Sequence, residues 1–135
     1  MSSKKKKIVF NPVGIVRNNV LKRREIPLGG VDSEIFIYPE YRPALKGLNC
    51  YSHIWVISHL HKSRTDVLQA RPRKVRRNGK LKGVFAIHSP DRPAPVGLSK
   101  VELISCKNGV LKVKNLDFIN GTPVLDIKSA SDGNE

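Results

Sequence analysis

A chain of 135 residues fits one domain, large enough to bury a core of its own and too short for two catalytic domains. It carries 25 Lys and Arg against 11 Asp and Glu, a formal charge of +14. The excess is lopsided: residues 1–80 hold 18 basic and 5 acidic residues, while residues 81–135 hold 7 and 6. No run approaches the roughly 18 apolar residues of a membrane-spanning helix, and two cysteines, Cys50 and Cys106, are too few for a secreted disulfide scaffold.

The start Met-Ser-Ser-Lys-Lys-Lys-Lys has no long apolar run behind it to make a signal peptide, so a cytosolic protein is expected. Its basic first part is expected to meet a polyanion, nucleic acid above all. Residues 1–7 read as a flexible basic tail, 8–128 as a single domain and 129–135 as a polar tail.

Residues 8–17 read as a strand, with Ile8, Phe10, Gly14 and Val16 on one parity and Pro12 pushing it toward an edge or bulge. Residues 18–32, with Arg23, Arg24, Pro27, Gly29 and Gly30, form a basic loop. A short strand is expected at 34–38. A few helical turns are expected within 39–48, where Tyr41, Ala44, Leu45 and Leu48 recur at spacings of three and four. Residues 51–60 are a strand with apolar side chains on both parities, which predicts that both of its faces are covered.

From Lys62 to Lys82 there are nine basic residues and one acidic, with Asn78-Gly79 as a tight-turn pair. Residues 83–87 are strand-like. Three prolines and a glycine then stiffen Ser89-Pro90-Asp91-Arg92-Pro93-Ala94-Pro95-Val96-Gly97 into an extended loop. Strands at 100–107 and 110–115 flank Asn108-Gly109, a strong hairpin signal, and a last strand runs over 123–128. Short strands joined by turn pairs, with barely one helix, predict a mostly β fold: a small closed or strongly curved β-barrel with one short helix.

A Gly-x-Gly-x-x-Gly fingerprint and a Walker loop are both absent, which argues against a Rossmann cofactor site and a P-loop hydrolase but not against a nucleoside held in another way. His53, His59 and His61 share a parity and include the residue types of an open zinc site. Trp55 and Ile57 lie between them and favour a dry surface, so core or hydrogen-bonding histidines are expected and no metal. Arg71, Arg73, Lys74, Arg76 and Arg77 form a phosphate-gripping run, since guanidinium forks match phosphate oxygens. Two segments carry the chemistry. In the first, an apolar base at Phe85, Ala86 and Ile87 adjoins His88, Ser89, Asp91 and Arg92 on a braced loop. In the second, Thr122, Asp126 and Lys128 share a parity, opposite Leu125 and Ile127, and so are expected to line a cleft together.

These two segments, Gly-Val-Phe-Ala-Ile-His-Ser-Pro-Asp-Arg-Pro-Ala-Pro-Val-Gly-Leu-Ser at 83–99 and Asn-Gly-Thr-Pro-Val-Leu-Asp-Ile-Lys at 120–128, resemble the signature stretches of the TrmO (TsaA-like) family of tRNA methyltransferases. The likeness extends to Pro12-Val13-Gly14-Ile15-Val16, Leu45-Lys46-Gly47-Leu48, Tyr51-Ser52-His53-Ile54-Trp55-Val56 and Arg71-Pro72-Arg73, in the expected order. The resemblance implies a small β-barrel working as a homodimer that binds S-adenosyl-L-methionine near the subunit interface. It also implies methylation of the exocyclic nitrogen of threonylcarbamoyl-adenosine beside the tRNA anticodon, with the anticodon arm as partner. Phe85, Ala86, Ile87, His88 and Ser89 would line the cofactor cleft, Leu125 and Asp126 would border the adenosyl part, and Arg92 and Lys128 would complete the polar wall. Arg71 and Arg73 would approach the cleft or the RNA.

The chain departs from the family pattern at Ile87-His88, where Thr-Arg is usual, and at Ala94, Asn120 and Ser129-Ala130, where Asn, Asp and Pro-Tyr are usual. Proton removal from the acceptor falls to His88, Asp91 or Asp126, and the sequence does not choose among them. A non-enzymatic RNA-binding barrel and a methyltransferase with another acceptor are the competing readings.

Overall fold

Six strands, each with one face of aliphatic side chains, keep those faces dry by closing on themselves. The computed structural model describes residues 5–72 and 79–131. Strands β1 (Gly14–Arg17), β2 (Val31–Ile37), β3 (His53–His59), β6 (Val96–Lys107), β7 (Val110–Leu116) and β8 (Pro123–Ser129) form a closed antiparallel barrel in the order β1-β2-β7-β6-β3-β8, with β8 returning to β1. Two short strands, β4 (Gln69–Ala70) and β5 (Lys82–Gly83), pair as a separate ribbon outside it. The interior is filled by Val16, Ile35, Ile37, Ile54, Val56, Val101, Leu111, Val113, Leu116 and Val124. No helix among the described residues is long and apolar enough to cross a membrane.

The expected hairpin is present. Lys107 pairs with Val110 across Asn108 and Gly109, both at positive φ, as a two-residue turn of this twist requires. Arg42 lies where a Cβ at position 109 would project, so glycine is needed there for space as well as for φ.

Three expected elements differ. The first strand begins at Gly14 and not at residue 8; Ile8, Val9 and Phe10 are 79, 82 and 69% exposed, and Pro12 interrupts the ladder before the alternation upstream finds a partner. The helical stretch is two 3-10 turns, Pro39–Leu45 and Leu48–Cys50. Pro43 has no N–H to give an α ladder, yet Tyr41, Leu45 and Leu48 still pack on the core as their spacing implies. Residues 83–87 are not a strand: β5 ends at Gly83 and a 3-10 turn, Val84–Ala86, follows, burying Val84 and turning Phe85 outward.

Bulges curve the barrel. On β8, Asp126 pairs with Ile57 but Val124 pairs with Ser58, so Leu125 is the extra residue. On β6, Ile104 is extra between Leu103 and Ser105.

Candidate functional site

The two motif stretches meet on either side of β3. Side chains at 54, 56 and 58 point into the barrel, which leaves His53, Trp55, Ile57 and His59 on its outer face. Register builds rows across that face: Lys100, Trp55 and Lys128; then Leu98, Ile57 and Asp126; then Val96 and His59. Lys100 Nζ stands 5.8 Å from the centroid of the Trp55 ring, and Lys128 Nζ is 3.1 Å from Asp126 Oδ2. The Asp126 Oδ1 accepts a 2.9 Å hydrogen bond from the amide of Ile127. The strip therefore has an apolar floor, Ile57 with an exposed Leu98, and a carboxylate at its edge.

The bulge at Leu125 corrects one expectation. It reverses the alternation between Val124 and Asp126, so Asp126 and Lys128 face outward, whereas Thr122 is buried and donates from Oγ1 to the Ile119 carbonyl at 2.6 Å. The expected polar trio is a pair, and Thr122 is part of the core. The side chain of Ile127 does pack inward, as its parity implies.

Residues 85–92 lie beyond the β3 and β6 ends of this strip. Phe85, Ala86 and His88 are exposed, with Ile87 and Ser89 half-buried. Arg92 does not reach outward; its Nη1 donates to the carbonyls of Ile87 and Ser89 at 2.9 and 3.2 Å and so braces the loop from behind. Asp91 is also engaged. Its Oδ1 accepts from the Arg64 amide and from Arg23 Nη1, each at 2.8 Å. Burial on its own would lift this carboxyl, but the Arg64 amide and the Arg23 guanidinium outweigh it and hold Asp91 below the usual carboxylate range.

Arg71 lies on the ribbon side and donates from Nη1 to the Gly79 carbonyl at 2.8 Å. Arg73, Lys74, Arg76, Arg77 and the Asn78 half of the expected turn lie outside the described residues. His53 shares a 2.9 Å hydrogen bond with Ser52, and burial, followed by Lys62 and His59, lowers the pKa of His61. Sequence reading missed Leu98 and Ile57 as floor, and Arg23 altogether. The parity of β3 was the available signal for Ile57, but it was assigned to a covered face.

Within one chain the two stretches make an open strip and not the enclosed slot their stiffness implied. The larger depressions among the described residues lie elsewhere: one of about 450 Å³ takes in Arg17, Glu34, Asn120 and Gly121, and one of about 290 Å³ takes in Arg17, Lys112 and Lys114. Neither is lined by residues 83–99.

Residues 17–132 match the family model described as the tRNA-methyltransferase O N-terminal domain. A Methanothermobacter thermautotrophicus relative named a probable S-adenosyl-L-methionine-binding protein is 44% identical over 125 residues, covering 90% of this chain and 88% of its own. The Escherichia coli protein named tRNA (adenine(37)-N6)-methyltransferase is 31% identical over 131 residues, covering 88% of this chain and 56% of its own. A crystal structure of TrmO from Pseudomonas aeruginosa superposes with a TM-score of 0.74 at 26% identity, covering 93% of this chain and 57% of that one. This chain thus spans little more than half the length of the two bacterial proteins. With the family match running from the last residue of β1 past the end of β8, the chain belongs to the tRNA-methyltransferase O N-terminal domain family.

Proposed function

We propose that the chain binds S-adenosyl-L-methionine against the outer face of β6, β3 and β8 and directs its methyl group to the exocyclic nitrogen of threonylcarbamoyl-adenosine beside the tRNA anticodon. The observation that carries this reading is the row Leu98, Ile57 and Asp126, where both motif stretches come side by side. An adenosyl group needs an apolar plane for its base and an acceptor for its ribose hydroxyls, and this row offers both. Phe85, Ala86, Ile87, His88 and Ser89 supply a wall, with Arg92 holding its carbonyls in place, and Leu125 and Lys128 complete the rim. The printed names of the archaeal and bacterial relatives support the cofactor and the tRNA acceptor respectively.

When bound, the cofactor supplies a methyl group on a sulfonium, ready for in-line attack. The protein's work is then to set the acceptor nitrogen about 3–3.5 Å behind that methyl and to exclude water. The carbamoyl-substituted nitrogen must lose a proton. Asp126 and His88 are open to accept it, whereas Asp91 is already taken up by Arg23 and Arg64. Lys22, Arg24, Arg71 and the 73–77 run hold RNA phosphates. A second copy of the chain closes the strip: Phe85, Leu98 and Val96 are 84, 58 and 46% exposed around it, an apolar patch suited to a homodimer contact.

Calorimetry with S-adenosyl-L-methionine, followed by methyl transfer to unmodified and threonylcarbamoylated tRNA, tests the reading. The expected result is saturable heat and transfer to the modified tRNA alone. Asp126→Asn is expected to weaken cofactor binding about tenfold, the scale of one lost charge-assisted hydrogen bond. RNA binding without any cofactor heat sinks the proposal in favour of a non-enzymatic RNA-binding barrel, and transfer to the unmodified tRNA points to another acceptor.

A further inference from the structure

Three ion pairs occur among the described residues. Two join neighbours on the same strand or turn and are open to water: Arg64 with Asp66, at 67 and 69% side-chain exposure, and Lys128 with Asp126, at 65 and 51%. The third joins Arg23 to Asp91, residues 68 apart in sequence, at 36 and 25% exposure. Exposed pairs between neighbours contribute little, whereas a sheltered pair across distant segments constrains the chain.

This third pair sits at the head of a polar relay. Asp91 Oδ1 takes both Arg23 Nη1 and the Arg64 amide at 2.8 Å. The Arg64 carbonyl accepts from the Arg92 amide at 3.0 Å, and the Arg92 guanidinium holds the carbonyls of Ile87 and Ser89. The Ser63 hydroxyl steadies Arg23 at 3.4 Å. With Phe85, Ala86 and His88 exposed, little apolar packing stands in for these contacts.

We infer that Asp91 is a positioning residue: with Arg23 it clasps the β1–β2 loop to the loop at 87–92 and so sets the shape of the cofactor wall. The inference rests on the methyl-donor site proposed above. It assigns Asp91 a role other than proton acceptor and brings in Arg23, which belongs to neither motif stretch. It also ties a basic loop to the cofactor wall through a single carboxylate oxygen.

The test uses the full chain with Arg23→Gln, Asp91→Asn, the double variant and Arg23→Lys. Each neutralising single change is expected to weaken S-adenosyl-L-methionine binding about tenfold, and the double change no more than the worse single one, because both remove the same interaction. Arg23→Lys, which keeps a charged donor, is expected to recover most of the loss. kcat at saturating cofactor is expected to stay within about twofold, separating positioning from proton transfer. Hydrogen exchange of amides 85–92 is expected to quicken about tenfold in Arg23→Gln while β2, β3 and β7 are unchanged.

Cofactor affinity within twofold of wild type in both single variants overturns the inference, as do additive losses in the double variant. Exchange that quickens equally in the barrel strands overturns it too, since the pair would then serve general stability. Wild-type protein with no affinity for the cofactor sinks the proposed function itself, and the claim about the cofactor wall falls with it. That outcome is told apart from a failed clasp because the exchange measurement needs no ligand.

Discussion

The barrel and the segment at 60–95 are held together by different forces. The barrel has a continuous ladder with no open edge to its sheet and a dry aliphatic centre in which Val16, Ile35, Ile54, Val56, Leu111 and Val124 have no exposed surface. The segment at 60–95 has a two-residue ribbon, a 3-10 turn and a handful of polar contacts centred on Asp91 and Arg92. One region can lose a surface hydrogen bond with little effect, while the other owes its shape to such bonds. Stability and recognition are therefore separable in this molecule, and each can be perturbed with the other as control.

The largest expected effect is on the barrel. Leu111→Ala removes a fully buried side chain at the β2, β6 and β7 junction and is expected to cost about 2–5 kcal/mol in denaturant unfolding. Exchange at 85–92 should rise only as much as global unfolding dictates; a loop that loosens first would erase the contrast between the two regions.

Gly97→Ala probes the seam where the loop re-enters the barrel. A Cβ there would stand 2.6 Å from Phe118 Cε1 and 2.9 Å from Leu60 Cδ2. A loss of about 1–3 kcal/mol is expected, with both regions affected together. A change confined to one region would move the boundary between them.

Acid should part the two regions. The depressed pKa of Asp91 means that its contribution is fully present above the ordinary carboxylate range and disappears as pH falls through its lowered value. The loop at 87–92 is therefore expected to stay protected from neutrality down to about pH 4 and to loosen below it, an onset that Asp91→Asn removes. His61 acts in the same direction at higher pH. Its lowered pKa keeps it neutral when folded, so stability should begin to fall as pH drops through about 6.5, where the unfolded chain takes up a proton, and His61→Gln should flatten that slope in thermal melts.

The smallest effect is expected inside the barrel. Ser58 is fully buried and its hydroxyl has no hydrogen-bond partner. Ser58→Ala should leave stability unchanged or raise it by about 1 kcal/mol, because no bond is lost and a desolvated hydroxyl is removed. A loss of cofactor affinity in that variant would show that the interior and the outer strip are coupled through β3.

The barrel was largely legible because its signals are local. The Asn108-Gly109 turn, the alternation along β7 and the apolar run of β3 each declare themselves within a few residues, and the structure places strands there. The over-long first strand came from reading Ile8 and Phe10 as continuing the alternation of Gly14 and Val16 across Pro12. The motif stretches were legible as motifs but not as geometry. A bulge changes parity without leaving a mark on composition, so Thr122 was grouped with Asp126 and Lys128. The Arg23 to Asp91 pair spans 68 residues and no local pattern announces it. The enclosed slot was expected from stiffness alone, and stiffness does not say whether the second wall belongs to the same chain.

Leu125 is a residue the architecture can spare. Delete it, and Val124 still faces inward across from Ser58 while Asp126 still faces outward across from Ile57, in unbroken over-and-under order. Its presence takes one peptide unit out of the ladder beside the point where the two motifs approach each other, leaving a strand with a backbone group to spare for a guest. A shortened variant without it should fold as before, which would make this one position a clean way to ask what the site needs beyond a well-made barrel.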